Sequence, residues 1–229
     1  MTKNDRPRIQ LMLYMFSKLL AIITLPILFS LVFFSRQIIN LWVGPEFSMA
    51  SDLLYFYTIP LFFGIPFAFT GCLFNAYAKV KVPSLTSVFT STLNVVLCLV
   101  FGYSFSMKLY GIAMASVVSA SATGLGFFPY YACRISGLSL GRYWKESIIK
   151  PIGLGCAIMI PGFFIFKSTQ TEIHINLLLA VVYMALSFIY YLTSYLFLLT
   201  AEEKSHVNEV IRSVTVKLKK SDNTASGAL

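Results

Sequence analysis

Residues 13–34 read LYMFSKLLAIITLPILFSLVFF, an apolar run that contains a single charged residue, Lys18. At about 1.5 Å per residue, a helix of this length matches the hydrocarbon core of a bilayer, which is about 30 Å thick. A water-soluble domain of this size could not bury several such segments in one core. The stretch is therefore predicted to cross a membrane.

Further stretches of the same kind follow, so the sequence predicts an all-α integral membrane protein with six transmembrane helices. Of the 229 residues, 57% are hydrophobic and only 12% are charged, whereas a typical soluble domain carries about 25% charged residues. The fifth span is short and contains Pro161 next to Gly162. The predicted spans cover residues 13–34, 53–76, 85–105, 109–133, 152–166 and 175–199.

Residues 201–229 are predicted to form a basic cytoplasmic tail, with an amphipathic helix followed by a disordered end. Thr200 and Glu203 have the spacing of a capping box, which marks the start of a helix. Apolar residues then share one helical face, and lysines surround it, as suits a helix on the inner membrane surface. The alternative is a loosely ordered basic tail. The apolar face consists of Val207, Val210, Ile211, Val214 and Leu218.

The distribution of lysine and arginine predicts the orientation. If the amino terminus is cytoplasmic, fourteen basic residues lie on the cytoplasmic side and three, Arg36, Lys108 and Lys167, lie outside. This asymmetry is the positive-inside pattern, and it predicts that both termini are cytoplasmic in a bacterial-type inner membrane. The net charge of +9 is thus explained by loops and a tail that face anionic lipid, and no nucleic-acid partner is predicted.

The sequence contains no recognisable catalytic or metal-binding pattern. The cysteines occur singly, at positions 72, 98, 133 and 156, and neither a phosphate-binding loop nor a zinc motif is present. We therefore predict no enzyme activity, no metal, no cofactor and no disulfide framework.

Small and polar residues inside the spans have two interpretations each. The row Gly111, Ala115, Ser119 and Thr123, with a second row beside it at Ser116, Ala120 and Gly124, favours close helix packing or a helix that borders a cavity. A stripe in the last span favours a packing seam, with sugar stacking as the alternative. This stripe consists of Tyr183, Ser187, Tyr191 and Tyr195.

Four residues are candidates for a substrate cavity. Lys18 lies within the first span, where it either snorkels to the interface or faces an internal aqueous cavity. Asn75 and Asn94 place amides in or near hydrocarbon, where each binds a neighbouring helix or a substrate. Arg36 lies at the outer end of the first span and is a poorer candidate.

The order of several short motifs resembles a known family. Lys18-Leu19-Leu20 and Pro26 in the first span precede a Trp-x-Gly loop, an Asn-Ala pair, a Lys-x-Lys-x-Pro loop and an Asn-Val-x-Leu run. Between Lys18 and Tyr131 this order is similar to the later part of polysaccharide flippases of the O-antigen translocase type, in the multidrug/oligosaccharidyl-lipid/polysaccharide exporter superfamily. The motifs are Ile38–Phe47, Leu73–Ala76, Lys79–Pro83, Asn94–Leu97 and Tyr110–Ala113.

The resemblance implies a function and a relation to a longer protein. Such flippases are helical, with about twelve to fourteen spans in two lobes, and move lipid-linked oligosaccharide by alternating access. The resemblance therefore implies a carboxy-terminal portion of such a transporter, with the lipid-linked substrate and the missing helices or a second chain as partners. It also implies that a basic residue in the cavity, here Lys18, binds the pyrophosphate of the substrate. The alternatives are a drug/cation antiporter of the same superfamily and a membrane scaffold or enzyme of another class.

Overall fold

The computed structural model describes residues 6–104, 108–168 and 175–205, and the regular structure in these ranges is helical. The prediction of an all-α membrane protein is therefore confirmed. A 3-10 turn at Pro45–Phe47 and π-helical segments at Val100–Ser104, Ala122–Phe127 and Lys145–Ile149 join some of the α-helices. The helices are α1 (Arg6–Phe33), α2 (Ser35–Trp42), α3 (Ser48–Gly64), α4 (Thr70–Ala76), α5 (Lys81–Leu99), α6 (Lys108–Ser121), α7 (Phe128–Ser136), α8 (Leu140–Trp144), α9 (Lys150–Ser168) and α10 (Ile175–Phe197).

Within the described residues, four helical stretches are long and apolar enough to cross a bilayer, and α10 contributes a shorter apolar helix, Val181–Phe197. The predicted number of six spans is not confirmed. The four stretches correspond to the predicted first, third, fourth and fifth spans. Their bounds are Ile9–Phe33, Lys81–Tyr103, Lys108–Ser136 and Leu140–Phe164.

The predicted second span, residues 53–76, is not one continuous helix. Its first part, α3, ends at Gly64, and α4 begins at Thr70. Between them the backbone is tightened into i→i−3 hydrogen bonds, for example from the Phe67 N–H to the Gly64 carbonyl at 3.1 Å. Pro66 lies at the start of this break and has no N–H to continue the α-helical ladder. Apolar composition alone did not reveal the break.

The predicted fifth span, residues 152–166, lies inside a longer helical stretch that begins at Leu140 and ends at Ser168. The residues just before Pro151 lie outside the predicted spans, and from Leu140 onward they are helical. Glu146 and Lys150 form an ion pair across one helical turn, with 2.7 Å between Nζ and Oε2. Such a pair stabilises a helix by about 0.2–0.5 kcal/mol.

Helix α1 lies at the centre of the packing and contacts α3, α9 and α10. Its buried apolar residues belong to two clusters: Leu13 packs with Phe67 and Tyr143, and Phe29 packs with residues of α9 and α10. Polar contacts add to the first cluster, since the hydroxyls of Ser17 and Tyr143 are 2.7 Å apart. The fold therefore places the start of α1 against the segment from α7 to α9.

The small-residue row of α6 is a packing surface. Gly111, Ala115, Ser119 and Thr123 are all buried, and α6 contacts both α3 and α5. In the second row, Ala120 and Gly124 line a mainly apolar groove of about 470 Å³ between the break after α3, α5 and α6. Thr123 of the first row lines the same groove, so close packing and a cavity border are not divided between the two rows.

The tyrosine stripe of α10 packs on α1. The Tyr183 hydroxyl donates to the carbonyl of Pro26, and the Tyr191 hydroxyl donates to the carbonyl of Ile23 at 3.0 Å. A carbonyl oxygen has two lone pairs, so each of these two carbonyls can accept a tyrosine hydroxyl in addition to a backbone N–H of its own helix. The stripe therefore serves as a packing seam in this structure.

Candidate functional site

Lys18 is buried in α1, with 4% of its surface exposed. Its Nζ donates to Oε1 and Oε2 of Glu203, at 2.8 and 2.9 Å, and to the carbonyl of Leu198 at 3.3 Å. Glu203 is equally buried, with a relative exposure of 4%. The structure therefore joins the first span to the segment that follows the last helix through a buried ion pair.

The predicted capping box at Thr200 and Glu203 is confirmed, and it positions the carboxylate. The Thr200 N–H donates to Oε2 of Glu203 at 2.8 Å, and the Glu203 N–H donates to the Thr200 hydroxyl at 3.4 Å. Residues 201–205 are helical. Because the box fixes the side chain of Glu203 toward the start of its own helix, the carboxylate is already oriented when it meets Lys18.

A cavity of about 430 Å³ opens beside this pair. Arg142 is exposed at the cavity, and its guanidinium lies 6.0 Å from the centre of the Tyr14 ring, within the range of a cation–π contact. The cavity has polar and apolar walls and mixes both signs of charge. It is lined by Leu11, Tyr14, Lys18, Arg142, Glu146, Thr200, Ala201, Glu202 and Glu203.

The charges around the cavity nearly cancel. Lys18 is compensated by Glu203, and Glu146 is compensated by Lys150. Arg142 and Glu202 remain, and neither forms an ion pair within the described part of the chain. A buried ion pair contributes little net stability, but removal of one partner leaves an uncompensated charge that costs about 3–5 kcal/mol.

Lys18 lines the cavity, and the structure adds a partner that neither sequence interpretation included. Its amine is not a free cation there, because the Glu203 carboxylate neutralises it. The sequence could not reveal this partner from residue spacing, since 185 positions separate the two residues. The local signal that did exist was the capping box, which located Glu203 at a helix start.

The other predicted cavity residues lie elsewhere. The Asn94 amide donates to the hydroxyls of Ser116 and Ser119 in α6, at 3.3 and 2.9 Å, so it binds a neighbouring helix. Asn75 is exposed near the end of α4, and Arg36 is exposed on α2, beyond the far end of α1 from Lys18. The structure does not bring the four predicted residues together into one site.

The sequence was compared with known proteins. The profile of the family described as "Lipid II flippase MurJ" matches residues 1–184. The chain is 25% identical over 171 residues to the "Uncharacterized membrane protein EpsK" of Bacillus subtilis (strain 168); the match covers 74% of this chain and 33% of that protein. The chain therefore spans about a third of the length of this relative. No solved structure gives a significant match.

Proposed function

The chain belongs to the lipid II flippase MurJ family, and from this membership we propose that it forms part of a transporter that moves lipid-linked oligosaccharide across the bilayer. The observation that carries the proposal is the family match, which extends over residues 1–184 of 229. Members of this family are transporters and not enzymes, in agreement with the absence of catalytic motifs.

We propose a surface-polysaccharide repeat unit on a lipid carrier as the substrate, with a peptidoglycan precursor as the alternative. The order of motifs between Lys18 and Tyr131 supports the first, because it resembles flippases of the O-antigen type. The family description supports the second. Both substrates are oligosaccharides on a lipid carrier, so a cavity that binds either needs a polar region near the membrane surface and an apolar path for the carrier.

Lys18 remains our candidate for contact with the substrate phosphate. It lines the cavity of about 430 Å³ together with Arg142, and a cation at low dielectric attracts phosphate strongly. Arg36, Asn75 and Asn94 stay weaker predictions. Two of them, Arg36 and Asn75, are exposed on this chain, where further helices of a larger transporter would cover them.

The proposed setting is the bacterial-type inner membrane, with both termini in the cytoplasm. In that orientation the Lys18 cavity opens toward the cytoplasm, the side on which lipid-linked precursors would be presented. Further helices, on the same chain or on a second one, would supply the rest of the two-lobed cavity that alternating access requires.

The test is transport in reconstituted vesicles. The chain, alone and together with the remaining helices of its transporter, is placed in liposomes that contain a fluorescent lipid-linked oligosaccharide, and a membrane-impermeant quencher reports the outer fraction. We expect flipping only in the assembled form, and faster for a polysaccharide repeat unit than for lipid II. Rates equal to those of empty liposomes for both substrates would refute the proposal.

A second candidate, a drug/cation antiporter, is favoured by one observation. Antiporters use a buried carboxylate to couple ion movement, and Glu203, which follows α10, is a buried carboxylate. An ion gradient across the membrane distinguishes the antiporter from the flippase. An antiporter would expel a cationic dye when a proton or sodium gradient is imposed across the same vesicles, whereas a flippase would leave the dye distribution unchanged.

A further inference from the structure

Glu203 binds Lys18 with the geometry that a phosphate group would offer. Its two oxygens lie 2.8 and 2.9 Å from one Nζ. Two terminal oxygens of a phosphate monoester or a pyrophosphate can make the same pair of charge-assisted hydrogen bonds. The carboxylate therefore holds the position at Lys18 that an anionic headgroup would need.

The Glu203 carboxylate lies in one wall of the cavity, which is formed by residues 200–203. Thr200 and Glu203 both line it, and the capping box ties the two together. This wall is attached to α1 through Lys18, whose Nζ also binds the Leu198 carbonyl. If the carboxylate leaves the lysine, the wall loses its strongest link to α1.

The charges around the cavity favour replacement of the Glu203 carboxylate by an anion over binding of an anion beside it. With Glu203 in place, Lys18 offers no free positive charge to an anion, because its ammonium is paired with that carboxylate. The residues that line the cavity, Lys18 and Arg142 against Glu146, Glu202 and Glu203, also give no excess of positive charge. Departure of the Glu203 carboxylate adds one positive charge at a residue that is 4% exposed. A phosphate group would then meet a poorly hydrated ammonium ion, where its attraction is strong.

We propose that the Lys18–Glu203 pair is a latch: a phosphate-bearing group replaces Glu203 at Lys18, and the exchange frees residues 200–205 from α1. The proposal rests on the proposed function, since a lipid-linked oligosaccharide carries phosphate next to its lipid. It assigns to Glu203 the role of an internal counter-ion that substrate must displace. Binding at the cavity is thereby coupled to movement of the segment after α10.

The first test measures binding with inorganic pyrophosphate as the probe. The full chain is placed in phosphatidylcholine nanodiscs and titrated by calorimetry. Glu203→Gln keeps the capping box, because glutamine serves equally well there, but it removes the competing charge. Apparent affinity scales with the open fraction, so a latch that is closed nine-tenths of the time predicts a gain of about tenfold.

The matched control is Glu202→Gln. Glu202 lines the same cavity, is exposed and forms no ion pair with the described residues, so this variant removes the same formal charge without opening the latch. We expect its affinity to stay within about twofold of the wild type, which is less than 0.5 kcal/mol. Lys18→Gln should abolish binding.

The second test starts from the unmodified chain. Hydrogen exchange of the backbone N–H groups of residues 200–205 is measured with and without pyrophosphate, and in nanodiscs with and without phosphatidic acid. Faster exchange with pyrophosphate supports a soluble phosphate source, and faster exchange only with phosphatidic acid supports a lipid headgroup. Glu203→Gln alone should reproduce the faster exchange.

A static ion pair predicts different results. If pyrophosphate and phosphatidic acid both leave the exchange of residues 200–205 unchanged, or if Glu203→Gln and Glu202→Gln bind pyrophosphate equally well, the latch is wrong. These outcomes are independent of transport. Vesicles that fail to flip either oligosaccharide would overturn the proposed function, while the exchange data would still decide the latch.

Discussion

Replacement of Gly111 by alanine should destabilise the contact between α6 and the π-helical segment after α5. A Cβ at this position would lie 2.8 Å from the carbonyl carbon and 2.9 Å from the carbonyl oxygen of Phe101. Carbon atoms in contact prefer about 3.5–4.0 Å, so the two backbones must separate by more than about 0.5 Å. Backbone cannot rotate away as a side chain can, and overpacking of this kind costs about 1–3 kcal/mol.

Two other glycines give a graded control series. A Cβ at Gly162 would lie 2.7 Å from both terminal carbons of Leu186, a flexible side chain that can change its rotamer, so its alanine variant should lose less stability. A Cβ at Gly153 in α9 would meet nothing within 4 Å. Because alanine is a better helix former than glycine by about 1 kcal/mol, this variant should be neutral or more stable.

The assay is reversible unfolding in mixed micelles, followed by circular dichroism, which gives the free energy of unfolding of each variant. The expected order of stability is Gly153→Ala, then wild type, then Gly162→Ala, with Gly111→Ala lowest. A Gly111→Ala variant as stable as Gly153→Ala would refute the close approach of the two backbones and the interpretation of the small-residue row as a packing surface.

Three further changes test single contacts. Tyr191→Phe removes the hydroxyl that donates to the Ile23 carbonyl and should lower the free energy of unfolding by about 0.6 kcal/mol, a usual value for a hydrogen bond in a membrane; no loss would mean that the seam is held by apolar contact alone. Asn94→Leu removes both bonds to the serines of α6 and should cost about 1 kcal/mol, whereas a Ser116→Ala variant should cost less, because Ser119 lies nearer to the amide. Thr200→Ala removes the cap and should cost about 1 kcal/mol, seen as faster exchange in residues 201–205; unchanged exchange there would contradict the role of the cap.

The helical membrane class and most of the spans followed from sequence because each depends on consecutive residues. The thickness of the bilayer sets the length of a spanning helix, so the length and apolar composition of residues 13–34 predict a span without reference to the rest of the chain. The capping box is equally local, since Thr200 and Glu203 satisfy each other within one turn. The buried row of α6 follows from the spacing of Gly111 and its partners along a single helix.

Features that depend on competition between local preferences were predicted less well. The break after Gly64 lies in a stretch as apolar as its neighbours, and only the backbone geometry around Pro66 shows that the helix stops. The helical stretch that begins at Leu140 extends beyond the predicted span because its first part is charged, and a search for apolar runs does not include it; there Glu146 and Lys150 form an ion pair on one face.

The sequence by itself determined that the chain is a helical membrane protein and that Lys18 is an unusual charge within a span. Only the tertiary structure decided what that charge does. Glu203 is 185 positions away from Lys18 in the sequence. The residues next to either of them in the sequence do not indicate that the two side chains pair. A buried lysine requires an anion because water cannot reach it, and which anion supplies that need depends on how α1 and the segment after α10 pack together.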